Sequence, residues 1–153
     1  MCGISGSGKT TYAKAKEKEG YIRLSIDESM WETYGQMGVD YDKELYGQYS
    51  AIIENRLKEK LIGLIVEGKN IVIDFSFRSR KSRDLYRRLI ESEGGWHTLI
   101  YMKTPKQLLK ERLEIRNSHI SANAPYKSQD FLDKYFYAFE SPDGENEIII
   151  EQK

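Results

Sequence analysis

The sequence predicts a three-layer α/β domain built on a mainly parallel sheet. Short, nearly continuous apolar runs recur along the chain, amphipathic stretches of helical length separate them, and a glycine-rich phosphate-loop pattern opens the sequence. Continuous apolar runs suit strands buried on both faces, which is the situation inside a parallel sheet.

The elements follow in order. Residues 3–10, Gly-Ile-Ser-Gly-Ser-Gly-Lys-Thr, match G-x-x-x-x-G-K-[ST] in full. A helix is expected over residues 10–19, starting inside that loop. Residues 21–26 (YIRLSI) read as a strand. Residues 43–67 form the longest helical pattern, with Tyr46, Tyr49, Ile53, Leu57, Leu61 and Leu64 at three- and four-residue spacing and Gly68 as its stop. Residues 70–75 (NIVIDF) are the strongest strand. A helix over 82–93 ends at Gly94-Gly95, and residues 97–102 (HTLIYM) are a third strand. The helix over 105–116 is expected to use Thr104 as its cap, Pro105 in the first turn and Gln107 to close a capping box. Residues 128–139 place Phe131, Leu132, Tyr135 and Phe139 on one helical face, and residues 147–151 (EIIIE) are the fourth strand.

One feature departs from this scheme. A phosphate loop normally joins a buried strand to a helix, yet only Met1 and Cys2 precede Gly3. Either this chain starts late, with Met1 at an internal position of a longer natural sequence, or the sheet is built without a proper first strand; the first is the expectation, leaving that strand largely missing at the N-terminus.

Bulk properties narrow the function. With 153 residues the chain fits a single domain, residues 1–153. Twenty-four basic and 24 acidic side chains give zero formal net charge, which argues against bulk binding to nucleic acid or to a membrane surface. The single cysteine allows no intrachain disulfide and suits a reducing compartment. No apolar stretch approaches a bilayer span and no signal peptide is visible, so a cytoplasmic protein, monomeric or weakly dimeric, is expected. His97 and His119 are isolated and Cys2 has no partner cysteine, which disfavours zinc, and no G-x-S-x-G elbow is present. The 11 tyrosines read first as packing residues.

The loop carries the chemistry. Its glycines (Gly3, Gly6, Gly8) allow backbone angles that turn successive N–H groups toward one centre, and the following helix adds its positive end. Ser5, Ser7 and Thr11 complete the cradle, Lys9 can reach the β- and γ-phosphates, and the Thr10 hydroxyl can ligate magnesium. ATP and Mg²⁺ are therefore the expected cofactors.

With this loop at the N-terminus and apolar runs closing on Asp27 and Asp74, the chain resembles the P-loop kinase superfamily. It is most similar to the zeta-toxin-like group of small kinases described as AAA family ATPases, which also resembles polynucleotide kinase and gluconate kinase domains. The resemblance covers nearly the whole chain. It implies a sheet of order 2-3-1-4-5 in which the visible strands are numbers 2 to 5. It also implies that Asp27 accepts the proton of a substrate hydroxyl and that Asp74 holds magnesium through water. Arg112 and Arg116, four apart on one helix face, would stack on adenine and reach the phosphates, opening a lid over about residues 112–128. Residues 141–144 would border the base.

Read without the resemblance, Asp27 serves equally as a helix N-cap, Asp74 as a turn former, and the two arginines as surface residues. The arginine that such relatives often place shortly after the catalytic aspartate is absent; Trp31 and Tyr34 either offer stacking or a hydrophobic wall there instead or pack a short helix. Arg78, Arg80 and Arg83 either grip an anionic acceptor or belong to a solvated helix start.

Three functions are compatible with these residues. The first is a kinase moving the γ-phosphoryl group of ATP to an acceptor hydroxyl. The second is an ATP-dependent switch module without a small-molecule acceptor. The third is a 5′-hydroxyl polynucleotide kinase, against which zero net charge counts. The acceptor itself is not readable, because residues 30–42 match no recognised pattern.

Overall fold

The structure, a computed structural model, describes residues 1–118 and 128–153. The elements in chain order are α1 (Lys9–Lys18), β1 (Ile22–Leu24), α2 (Ile26–Tyr34), a 3₁₀ turn (Lys43–Leu45), α3 (Tyr46–Val66), β2 (Ile71–Ile73), α4 (Arg80–Ser92), β3 (Leu99–Lys103), α5 (Lys106–Asn117), α6 (Gln129–Tyr137) and β4 (Glu147–Glu151). The strands pair as two parallel ladders. β1 lies on β2 with Leu24 opposite Ile73, and β3 lies on β4 with Tyr101 opposite Ile149.

Residues 1 and 2 run between the two ladders. The Met1 nitrogen donates to the Ile73 carbonyl at 3.1 Å. On the other side the Cys2 N–H donates to Ile100 at 2.8 Å, and the Met102 N–H donates to Cys2 at 3.0 Å. Cys2 is fully buried. The stretch preceding the loop, residues 1 and 2, is thus built into the structure.

Packing follows the apolar spacing. α3 buries Ile53, Leu57 and Leu61, one residue per helical turn, against a cluster that includes Leu24, Phe75 and Tyr86. Met1, Ala13, Val72 and Met102 form a second cluster around the loop strand. Leu109, Leu113 and Leu132 form a third, which joins α5 to α6.

Three expectations need correction. First, β1 ends at Leu24, so Asp27 does not close a strand. Ser25 is extended, its side chain accepts from the Glu28 N–H at 3.3 Å, and Asp27 falls in the first turn of α2. Second, Thr104 does not cap α5. Pro105 is the cap residue with no side-chain cap bond, Thr104 Oγ1 donates to the Ser7 carbonyl at 3.4 Å, and Gln107 bonds Glu111. Third, α4 begins two residues earlier than predicted, because Ser79 caps it through the Ser82 N–H.

The third basic residue of the predicted cluster is also a fold residue. Arg83 is 5 % exposed and donates through Nε and Nη2 to the two Glu145 oxygens, both at 2.7 Å. Its Nη1 donates to the Phe77 and Glu140 carbonyls. This bidentate pair pins α4 to the approach of β4. The Arg83 hydrogen bonds hold the Glu145 carboxyl below its ordinary value, against the opposing pull of burial. A depressed carboxylate stabilises the fold above its unfolded pKa, and that contribution fades as pH falls through the folded value. Glu145→Gln should therefore cost about 3 kcal/mol of unfolding free energy at neutral pH, since it strands a buried guanidinium. In urea titrations the gap from the parent should narrow as pH drops below the normal carboxylate range, and a pH-independent gap would contradict this account.

Candidate active site

The loop at residues 3–8 leaves the Met1–Cys2 stretch and turns into α1. Gly3 has φ +146°, and a Cβ there would sit 2.6 Å from Ser7 Oγ and 3.0 Å from the Met102 carbonyl. Gly8, which caps α1, has φ +94°. Side chains are excluded at both points by conformation, and at Gly3 by space as well. The result is a loop wrapped around a hollow at the positive end of a helix, the arrangement that collects an anion. Lys9 Nζ folds back onto the Gly3 and Ile4 carbonyls at 2.9 and 3.0 Å.

Two arginines of α5 reach this loop. Arg112 Nη1 donates to the Gly6 carbonyl at 3.4 Å and to Gln152 Oε1 at 3.3 Å. Arg116 Nη1 donates to Ser5 Oγ at 3.0 Å, while its Nε and Nη2 are buried and meet no acceptor among the described residues. Burial holds the Arg116 guanidinium below its ordinary value, and the charge of Asp27 pulls the other way. Unmet buried donors are rare in folded proteins and costly. The same guanidinium bonds a loop side chain through Nη1 and lines the cleft at the phosphate loop, so the residues present fit an anionic oxygen ligand.

One cleft of about 1390 Å³ gathers most of the predicted site. Its lining includes Gly3, Ser5, Gly6, Gly8, Lys9, Thr10 and Thr11 from the loop and α1. Asp27, Trp31, Asp74, Arg78, Arg112 and Arg116 line the rest. Ser7 is buried behind the loop. Arg80 stands outside, donating to Glu140 through its backbone and to the Asp143 carbonyl through its side chain. With Arg83 buried, the three arginines do not form one surface. Tyr34 stacks on Tyr49 at 4.0 Å and belongs to the packing, so only Trp31 of the predicted wall faces the cleft. Residues 141–144 lie against Arg80 and Tyr101, away from the cleft lining. The expected lid falls largely on residues 119–127, outside the described residues.

Sequence reasoning missed Arg23. Its side chain is 2 % exposed and pairs with Glu17 at 3.0 Å, with Glu28, and with Asp74 at 2.9 Å. Burial alone would lower its pKa, but hydrogen bonds to Glu28 and Asp74 outweigh that and raise it. One oxygen of Asp74 is thereby fixed in place. Also missed were Gln152, which holds Arg112, and the inward role of Phe131 and Tyr135, read from the sequence only as a packing face. The sole available signal was the period of the helix, which cannot separate a core face from a cleft wall.

A parallel α/β fold, a phosphate loop at a helix N-terminus and two arginines folded onto it define a nucleotide-binding P-loop domain of the kinase type. The match to known families agrees: residues 1–140 fit the AAA domain family AAA_33, and the chain belongs to that family. No curated protein sequence matches it. Among solved structures it is similar to a gluconokinase from Sinorhizobium meliloti 1021, with 22% identity, a TM-score of 0.59, and coverage of 98% of this chain and 79% of that one. A sugar kinase from Janibacter sp. HTCC2649 gives 21% identity, TM-score 0.62, and coverage of 98% and 82%. A Chloroflexus aurantiacus protein provisionally assigned as a kinase gives 18% identity, TM-score 0.73, and coverage of 99% and 81%. At these identities the likeness is one of fold.

Arg116 offers a direct test. Arg116→Met removes donors that the unliganded fold leaves unmet, so thermal denaturation should show equal or higher stability, while affinity for ATP in calorimetry falls at least about tenfold. Lower stability with unchanged ATP binding would make Arg116 a structural residue.

Proposed function

We propose that this protein is an ATP-dependent phosphotransferase acting on an alcohol. The observation that carries the reading is the convergence, in one cleft, of the phosphate loop, Asp27 and the Arg112/Arg116 pair. ATP would supply the γ-phosphoryl group as donor substrate. The loop amides and Lys9 hold its phosphates, and Lys9 exchanges its present carbonyl partners for phosphate oxygens. Arg116 presents its unmet donors to the same group and offsets charge that builds during transfer. Arg112, held by Gln152, closes the donor side.

Asp27 acts on the other substrate. It stands in the first turn of α2 on the cleft wall, exposed to the cleft and within electrostatic reach of Arg116. A carboxylate there accepts the proton of the attacking hydroxyl. Thr10 and Asp74 would hold magnesium, Thr10 directly and Asp74 through water. Among the described residues no group of three or more His, Cys, Asp or Glu side chains gathers into a metal site. A hydroxyl and a carboxylate are oxygen donors that suit magnesium, which keeps several waters and leans on substrate phosphates.

The same reading takes the four strands as numbers 2 to 5 of the order 2-3-1-4-5 within a three-layer domain, with residues 1–2 in the first position. The bonds from Met1 and Cys2 to both ladders support it. Among the described residues no helix is long and apolar enough to cross a membrane.

Asp27→Asn should lower phosphoryl transfer by about 10²-fold or more while leaving ATP affinity within about twofold. Lys9→Ala should remove ATP binding itself. Turnover of ATP that is indifferent to Asp27→Asn would instead favour a nucleotide switch without an acceptor.

A further inference from the structure

The acceptor half of the cleft differs in chemistry from the phosphate half. Asp27 and Trp31 are four apart on α2, so they share one face, and both line the cleft. A hydroxyl placed at Asp27 therefore has its carrier beside the Trp31 ring. Trp31 is half-buried and stacks on no other ring among the described residues. The neighbouring rings differ in this respect, for Tyr34 is already spent on Tyr49, and Tyr41 packs on both.

Across the cleft, α6 contributes Phe131 and Tyr135, stacked at 4.1 Å with an interplanar angle of 25°. The Arg78 guanidinium lies 5.3 Å from the Tyr135 ring centre and makes no ion pair among the described residues. Tyr46 lies between these walls. Enclosure first, then the charge of Asp27 and the hydroxyls of Tyr41 and Tyr135, push its own hydroxyl up to about 12. Tyr41, Tyr46 and Tyr135 line the same cleft as Asp27. Carboxylates are scarce here: Asp27 and Asp74 are the only ones among the described cleft-lining residues, and Asp74 is bound to Arg23. The other polar side chains of this half include Gln36, Lys43, Ser50 and Arg78, interleaved with the rings. Rings without stacking partners suit a flat π-face.

Resting on the phosphotransferase reading, we propose that the acceptor is an alcohol carried on a planar aromatic or heteroaromatic body, a nucleoside or an aryl glycoside, stacked on Trp31 with its hydroxyl at Asp27. A polyol such as gluconate, the substrate named for one structural neighbour, is the competing class.

The test uses two readouts. Trp31 and Trp96 are the only tryptophans, and Trp96 is 87 % exposed and lies outside this cleft. In a Trp96→Phe background, adenosine, cytidine and phenyl glucoside are titrated against Trp31 emission, with gluconate and glucose alongside. Labelled ATP then measures transfer to each. Saturable quenching by at least one aromatic alcohol, absent with both polyols, is the expected result, and the nucleoside and glucoside arms distinguish the two sources. Trp31→Leu should raise KM for the responding acceptor by roughly tenfold with kcat little changed, and Trp31→Phe should restore most of it.

Absence of quenching by every aromatic alcohol overturns the inference, as does transfer to gluconate with none to aromatic acceptors. The latter leaves the phosphotransferase reading standing. Specific quenching without transfer to any acceptor supports the aromatic site and sinks the phosphotransferase reading instead.

Discussion

Everything in this molecule hangs on the pairing of a two-residue stretch of backbone. A ladder of two short strands is marginal in water, and this fold contains two of them. Met1 and Cys2 lie between the ladders and bond to Ile73 on one side and to Ile100 and Met102 on the other. Buried peptide groups must be paired, so these bonds fix where Gly3 begins. At Gly3 the turn admits no side chain, because a Cβ at that point would strike Ser7 and Met102. The phosphate cradle is therefore positioned by strand pairing first and by glycine freedom second.

Three buried or half-buried arginines show how far context decides a residue's work. Arg83 meets two carboxylate oxygens and two carbonyls, and it holds the fold together. Arg23 meets three carboxylates from three elements and orients one of them, Asp74, toward the cleft. Arg116 meets the Ser5 hydroxyl and leaves two buried donors unmet among the described residues. All three carry the same charge away from open solvent, and the partners each meets among the described residues separate structural roles from a binding role. The same logic separates the aromatic residues. Tyr34 has a ring partner at stacking distance and Trp31 has none among the described residues, although both lie on α2.

The local parts of this arrangement were legible in the sequence. The loop pattern, the length of α3 and the α5 arginine spacing are all set within a few residues, and the structure has them close to where the sequence puts them. Features that depend on distant partners were not legible. Arg83 looked like part of a basic patch because Glu145 lies 62 residues away. Arg23 looked like an ordinary strand residue because its three carboxylates come from α1, α2 and the end of β2. Boundaries failed where two local signals competed. Ser25 reads as the end of a strand but starts α2, and Thr104 reads as a cap but reaches back to Ser7. The wall formed by Phe131 and Tyr135 was hidden because a helical period reports which residues share a face without saying what that face meets.

Cys2 gives the central stretch an additional property. It is the only sulfhydryl in the chain, it is wholly enclosed, and burial pushes its thiol up to about 11. A thiol in that state is nearly inert to alkylating reagents, so modification must wait until the backbone between the ladders opens. The labelling rate at fixed pH thus becomes a chemical readout of the least replaceable piece of the structure, obtained without adding a dye or a reporter residue. Slowed labelling in the presence of nucleotide would register, at the strand, an event occurring in the loop beside it.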